Sequence, residues 1–244
     1  MKKRINKIIV LVTCFLFTIV SCEIDNYDKP ASSFSGGIKD VTTGTLVETD
    51  LQNGSAIRAY ELGFETLAAQ TWVIKNTGEF RNDMVFPGHY NLEFINGNFY
   101  PFTVDNFEIK PGVNTHDFEV TPYIRIKDVT IAHNTGNNRV VATFKLEAGK
   151  PEVKLKSIRL YAFTDIHVGE QVKFNTTGAD FKQDFGTAQT IDGSTVYTLS
   201  IDLNENEIFF GLSRNYYFRV GALASVPNVG TVRYNYAPLV KIAL

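Results

Sequence analysis

From Phe34 onward, apolar and polar residues alternate in short runs, broken by Gly, Asn, Asp and Pro every eight to twelve residues. This is the pattern of an all-β protein. Ser55–Tyr60, Trp72–Lys75, His89–Phe94 and His116–Val120 are the clearest early strands. In the last of these, Phe118 and Val120 fall on one face and Asp117 and Glu119 on the other, as a half-buried strand requires. Beyond Thr121-Pro122 the strand runs lengthen: Tyr123–Ile131, Arg139–Glu147, Ser157–Phe163, Thr195–Asp202, Tyr216–Ala224 and Pro238–Leu244. Pro122 has no N–H to donate and holds Thr121 extended, so the pair predicts a stiff, short link. No fifteen-residue window carries a helical stripe. Glu61–Gln70 could hold one helical turn, but Gly63 weakens it and the segment reads as a loop.

The chain before residue 34 has a different character. Lys2-Lys3-Arg4 precede the apolar run Ile8–Val20, followed by Ser21-Cys22 and then Glu23, Asp25 and Asp28. A basic start, an apolar core and a small residue before the cut describe a secretory signal. A run of thirteen residues falls short of the ~20 that span a bilayer. A cysteine at the cut makes this a lipoprotein signal, because a thiolate can be alkylated onto a diacylglycerol as a stable thioether. The expected organisation is a signal peptide over residues 1–21, the lipidated Cys22 and a flexible tether over 22–33, and sandwich domains over 34–121 and 122–244.

Charge and cysteine content sharpen this picture. Cys14 would leave with the signal, so Cys22 would remain alone and no intrachain disulfide could form. An exported chain of this kind depends on its core for stability, and about 220 residues suffice for one large or two ordinary domains. The signal carries four basic residues and no acid. Its removal turns 24 basic against 26 acidic residues into 20 against 26, a net charge near −6. That argues against nucleic acid as a partner and against electrostatic attachment to anionic lipid. Membrane attachment is expected through acyl chains, each buried CH₂ contributing ~0.8 kcal/mol.

Two resemblances follow from particular residues. Phe34-Ser-Gly-Gly-Ile-Lys-Asp40, Thr43-Gly44, Thr77-Gly78-Glu79-Phe80 and Phe86-Pro87-Gly88-His89-Tyr90-Asn-Leu92 together resemble the transthyretin-like (prealbumin-like, carboxypeptidase-regulatory-like) β-sandwich. Pro87-Gly88 would make a turn with Gly88 at positive φ, and Tyr90, Leu92 and Phe94 would then alternate inward. The second half is similar to an immunoglobulin-like or fibronectin-III-like sandwich. There Tyr216, Phe218 and Val220 share one face of a long strand, and Val140, Ala142, Phe144 and Leu146 face them. Strand count and spacing carry this second likeness, since no Cys…Trp…Cys signature is present. With the lipidated cysteine, the two domains resemble uncharacterised Bacteroidetes surface lipoproteins encoded beside SusC/SusD-type glycan uptake systems. The resemblance implies lipid anchorage in the outer membrane facing the cell exterior, a SusC/SusD-type transporter complex as partner, and a role in polysaccharide utilisation. The expected function is non-enzymatic: accessory carbohydrate binding or a scaffold for the uptake system. The alternative is an adhesion or fimbrial-type subunit that contacts protein partners through edge strands.

Chemistry-bearing motifs are sparse. His89, His116, His133 and His167 fall in separate segments with no pair at ligand spacing, and neither a Gly-x-Ser-x-Gly elbow nor a phosphate-cradling glycine loop occurs. Asp202-Leu-Asn204-Glu-Asn206-Glu207 begins like a calcium loop, but Glu207 stands where Gly is required and Ser213 where Glu is, so it reads as a solvated acidic turn. Asp180–Asp184 reads as another acidic loop. No catalytic residue, metal or cofactor is expected. Sugars offer apolar C–H faces that stack on aromatic rings, so the candidates for glycan or partner contact are aromatic: Trp72, Tyr217, Tyr234 and Tyr236. Trp72 shares its face with Ile74, which favours core packing. Tyr217, Tyr234 and Tyr236 alternate with polar residues and are the better candidates for an exposed ledge.

Overall fold

The computed structural model describes residues 29–244; the signal segment and Cys22 lie outside them. Two β-sandwiches follow one another within the compact unit Ala31–Leu244. The first holds β1 (Ser32–Asp40), β2 (Ala56–Glu61), β3 (Ala69–Val73), β4 (Glu79–Val85), β5 (Gly88–Phe94), β6 (Phe102–Ile109), β7 (Gly112–Thr115) and β8 (Phe118–Val120). One sheet runs β4-β1-β7, with β8 also pairing β1, and the other runs β3-β2-β5-β6. β7 and β8 both lie parallel to β1. The inward positions of these strands make a core rich in aromatic rings. Phe34 sits at its centre, with ring centroids 5.8 Å from Trp72, 5.1 Å from Phe80 and 5.2 Å from Phe107. Tyr90, Leu92 and Phe94 are all fully buried, as their alternation predicted. Gly88 takes the expected positive φ, at 159°, close to the extended region. Gly78 also has positive φ (89°), and there a Cβ would lie 2.7 Å from the Val47 carbonyl oxygen.

The second sandwich holds β9 (Ile124–Asn134), β10 (Arg139–Ala148), β11 (Lys154–Phe163), β12 (Lys182–Thr190), β13 (Val196–Asp202), the one-turn helix α1 (Glu207–Phe210), β14 (Asn215–Ser225), β15 (Asn235–Tyr236) and β16 (Val240–Ala243). Its sheets run β13-β10-β9 and β12-β11-β14-β15, with β16 also pairing β14. Val140, Ala142, Phe144 and Leu146 on β10 face the core opposite Tyr216, Phe218 and Val220 on β14, and all seven are buried.

Two expectations need correction. Residues 32–33 belong to β1 and not to a tether: Ser32 is buried and donates from Oγ to the Lys110 carbonyl at 2.9 Å. Asp180–Asp184 is not simply a loop, because β12 begins at Lys182. That strand is exposed along most of its length, so it lacks the alternation that would reveal it. Asp202–Glu207 forms the expected turn, with Glu205 and Glu207 exposed. Asp202 Oδ1 accepts the Asn204 and Glu205 N–H groups, and buried Asn206 ties the turn to Thr177.

The link at Thr121-Pro122 is packed into the molecule. Tyr100 N donates to Thr121 O and Tyr123 N to Asn98 O, both at 3.0 Å. Gly149 closes over the same point, where a Cβ would meet the Pro122 carbonyl oxygen at 1.9 Å.

Candidate functional site

A cleft of about 600 Å³ opens where the two sandwiches meet. Leu46, Val47, Pro122, Ile124, Ile126 and Tyr236 give it apolar walls, and Thr43, Thr45, Thr77, Asp40, Glu48, Arg125 and Lys127 supply polar groups. Its size and its place between domains are those of a ligand site, and apolar and polar residues line it in about equal number.

Two arginines fix the cleft's shape. Arg125 on β9 forks onto Asp40 at the end of β1, with Nε–Oδ2 at 2.5 Å and Nη2–Oδ1 at 2.8 Å. It also donates to Glu147 Oε1 at 3.2 Å and to Thr42 Oγ1 at 3.0 Å. Such a bidentate pair is both strong and directional. Burial alone would raise the Asp40 carboxyl. Arg125 and the Thr42 N–H overcome that and hold it below its usual 3.8.

The second arginine is Arg219 on β14, 1% exposed. It donates to four carbonyl oxygens, those of Ala237 (3.1 Å), Thr49 (3.2 Å), Val168 (3.3 Å) and Asn76 (3.0 Å), and to Glu48 Oε2 at 2.5 Å. Its guanidinium lies 4.1 Å from the centroid of the Tyr236 ring, a cation–π contact in a desolvated place. Burial keeps the Glu48 carboxyl above its usual 4.5 despite the charge of Arg219. Burial likewise raises Asp50, which accepts the Tyr236 hydroxyl at 2.6 Å and the Glu170 N–H at 3.1 Å. Two buried amides complete the junction. Asn98 donates from Nδ2 to Glu48 O and Tyr234 O, and Asn235 donates to Asn98 O while accepting the Ile124 N–H. Asp40 and Glu48 are thus each held by an arginine, which equips the cleft for binding and positioning more than for proton transfer.

The expected aromatic ledge does not form as an exposed surface. Trp72 is 4% exposed and packs inside the first sandwich against Phe34 and Tyr90. Tyr234 and Tyr236 are each 8% exposed and join Tyr161 in a buried cluster, against which the half-buried Tyr217 packs. These rings do lie on the outer face of the β11–β14–β15 sheet, as their alternation indicated. That face is covered by the segment carrying Val168 and Glu170 and by the first sandwich. The covering supplies each hydroxyl with a partner: Ser157 Oγ for Tyr234, Asp50 and the Glu170 N–H for Tyr236, and Glu170 Oε2 for Tyr161. Sequence reasoning missed Arg219, Arg125, Asp40, Glu48, Asp50, Asn98 and Asn235. One trace was available: Phe218–Ala222 offers apolar or small residues to both faces with a single arginine among them, the mark of a strand covered on both sides.

Comparison with known proteins places this architecture. The model of the DUF3823 N-terminal domain, described as a protein of unknown function, matches residues 32–121. That of DUF3823_C, a domain of unknown function, matches residues 124–241. The chain belongs to the DUF3823 family. A crystal structure from Bacteroides uniformis, described as a "putative carbohydrate binding protein", is 52% identical, covers 88% of this chain and 100% of its own, and superposes with a TM-score of 0.85. DUF3823 family proteins from Parabacteroides merdae (22% identity, TM-score 0.68) and Bacteroides uniformis (19%, 0.69) each match 88% of this chain and 100% of their own, and share its fold. None of the curated proteins matches the chain.

Proposed function

We propose that this DUF3823 protein binds carbohydrate without chemically altering it, as a lipid-anchored accessory of a polysaccharide uptake system on the outer face of the outer membrane. The observation that carries the binding role is the 52% identity, over 88% of the chain, to the Bacteroides uniformis protein described in those terms. The interdomain cleft supports it. Its apolar walls suit the C–H faces of sugars, and its threonine hydroxyls and flanking charges suit their hydroxyl groups. The lipid anchor rests on the Cys22 motif and the uptake role on the resemblance of the whole domain arrangement.

Affinity electrophoresis of residues 24–244 through gels containing plant, host and microbial polysaccharides tests the binding role. Retardation by one glycan class supports it; mobility unchanged in every gel removes it and leaves a scaffold for protein partners. Membrane fractionation of a Cys22→Ala variant tests the anchor separately. The variant is expected in the soluble fraction, and its persistence in membranes would remove the anchor.

A further inference from the structure

The geometry points to a second pocket, on the C-terminal sandwich, that receives the carboxylate or sulfate of an acidic sugar. This rests on the carbohydrate-binding reading and narrows it to anionic glycans. The pocket, about 180 Å³, lies between β11, the start of β12 and the segment Lys173–Thr176. Arg159, Lys173 and Lys182 converge on it beside the rings of Tyr161, Phe174 and Phe181. It is smaller than the ~300–1,000 Å³ of drug-sized sites, which suits one sugar unit or its charged substituent.

Its cations are incompletely neutralised. Arg159 reaches Glu170 at 3.4 Å and Asp184 at 3.5 Å, well beyond the ~2.7–2.9 Å of a tight charge-assisted hydrogen bond. The Arg159 Nε is buried from solvent and has no hydrogen-bond partner among the described residues. Part of the hydrogen-bonding capacity of Arg159 is thus unused within the protein. Lys173 shares Glu170 with Arg159. Lys182 makes no ion pair among the described residues and lies 5.7 Å from the Phe181 ring centroid. Three cations face two carboxylates here, in a chain whose formal net charge is −2. A guanidinium fork matches the planar spacing of carboxylate oxygens and the edge of a sulfate. Access follows from topology, because β12 is the edge strand of its sheet and is mostly exposed. Tyr161 lines this pocket and Tyr236 lines the interdomain cleft, with ring centroids 5.9 Å apart. The two sites therefore flank one tyrosine cluster.

The test is affinity electrophoresis of the lipid-free chain in gels of polygalacturonate, dextran sulfate, galactomannan and amylopectin. Wild type is compared with Lys182→Ala, Arg159→Gln and, as a control, Lys241→Ala, which removes an exposed charge from β16. Lys182 is exposed on an edge strand, so its variant keeps the fold even where Arg159→Gln does not. The expected result is retardation by one or both acidic polymers, weakened about threefold to tenfold in Lys182→Ala, as for one charge-assisted contact, and unchanged in Lys241→Ala. Carboxylate and sulfate are told apart by which acidic gel retards. Retardation by neutral gels alone, or acidic retardation equal in wild type and Lys182→Ala, overturns the anionic site and leaves the carbohydrate-binding reading standing. Unchanged mobility in every gel overturns both.

Discussion

Arg219 Nη2 donates to Glu48 Oε2 at 2.5 Å, joining a core strand of the second sandwich to a residue 171 positions earlier in the first. The same guanidinium binds the Thr49 and Asn76 carbonyls of the first sandwich and the Val168 and Ala237 carbonyls of the second. A buried charge of this kind contributes little net stability while its partners are in place, but losing one member of the pair strands the others without hydrogen bonds. Arg219 is therefore expected to make the two sandwiches unfold together.

Arg219→Ala should cost about 3–5 kcal/mol, the range for breaking a buried pair from one side. Trp72 is the only tryptophan and lies in the first sandwich, so its emission reports that sandwich alone, whereas circular dichroism reports both. In urea the two probes should give one transition for wild type and separated transitions for the variant. Coincident transitions in Arg219→Ala would show that other contacts suffice to couple the domains.

The Asp40–Arg125 pair sets part of the acid limit. The folded-state value of Asp40 lies below 3.8, so its contribution to stability is complete above that pH and is lost as pH falls through the depressed value. Asp40→Asn should cost about 3 kcal/mol at pH 7. The gap between wild type and variant should hold down to about pH 4 and close below it. Denaturation curves from pH 7 to 3 measure this. A gap that already shrinks between pH 6 and 5 would contradict a depressed Asp40.

Gly149→Ala should destabilise the protein by about 1–3 kcal/mol, the range for overpacking. The added methyl would meet the Pro122 carbonyl at 1.9 Å and Tyr123 O at 3.2 Å, both backbone atoms that cannot rotate aside. A thermal midpoint equal to that of wild type would mean that the link yields easily.

Limited proteolysis should cut before residue 31 and spare Thr121-Pro122. β1 is paired with β4 and β7 from Ser32 onward, and the residues flanking the link are hydrogen-bonded to Asn98 and Tyr100. Early fragments ending at residue 121 would show instead that the link opens.

Alternation along the chain was enough to establish the all-β class and most strands. Period-two alternation at Tyr90, Leu92 and Phe94 and at Val140, Ala142, Phe144 and Leu146 is a local property, imposed by one wet and one dry face. It missed β12, because a strand exposed on both sides has no alternation to show. It also placed Tyr234 and Tyr236 on the correct face of their sheet but could not say what covers that face. The covering residues come from chain segments far away, Asp50 lying 186 positions from Tyr236 and Glu170 lying 66. The same separation hides the cleft. Asp40 and Arg125 are 85 positions apart, and Glu48 and Arg219 are 171. Each reads alone as an ordinary surface charge. Only the packing of one sandwich on the other removes the water around them, and desolvation is what turns a distant pair of charges into a fixed structural contact.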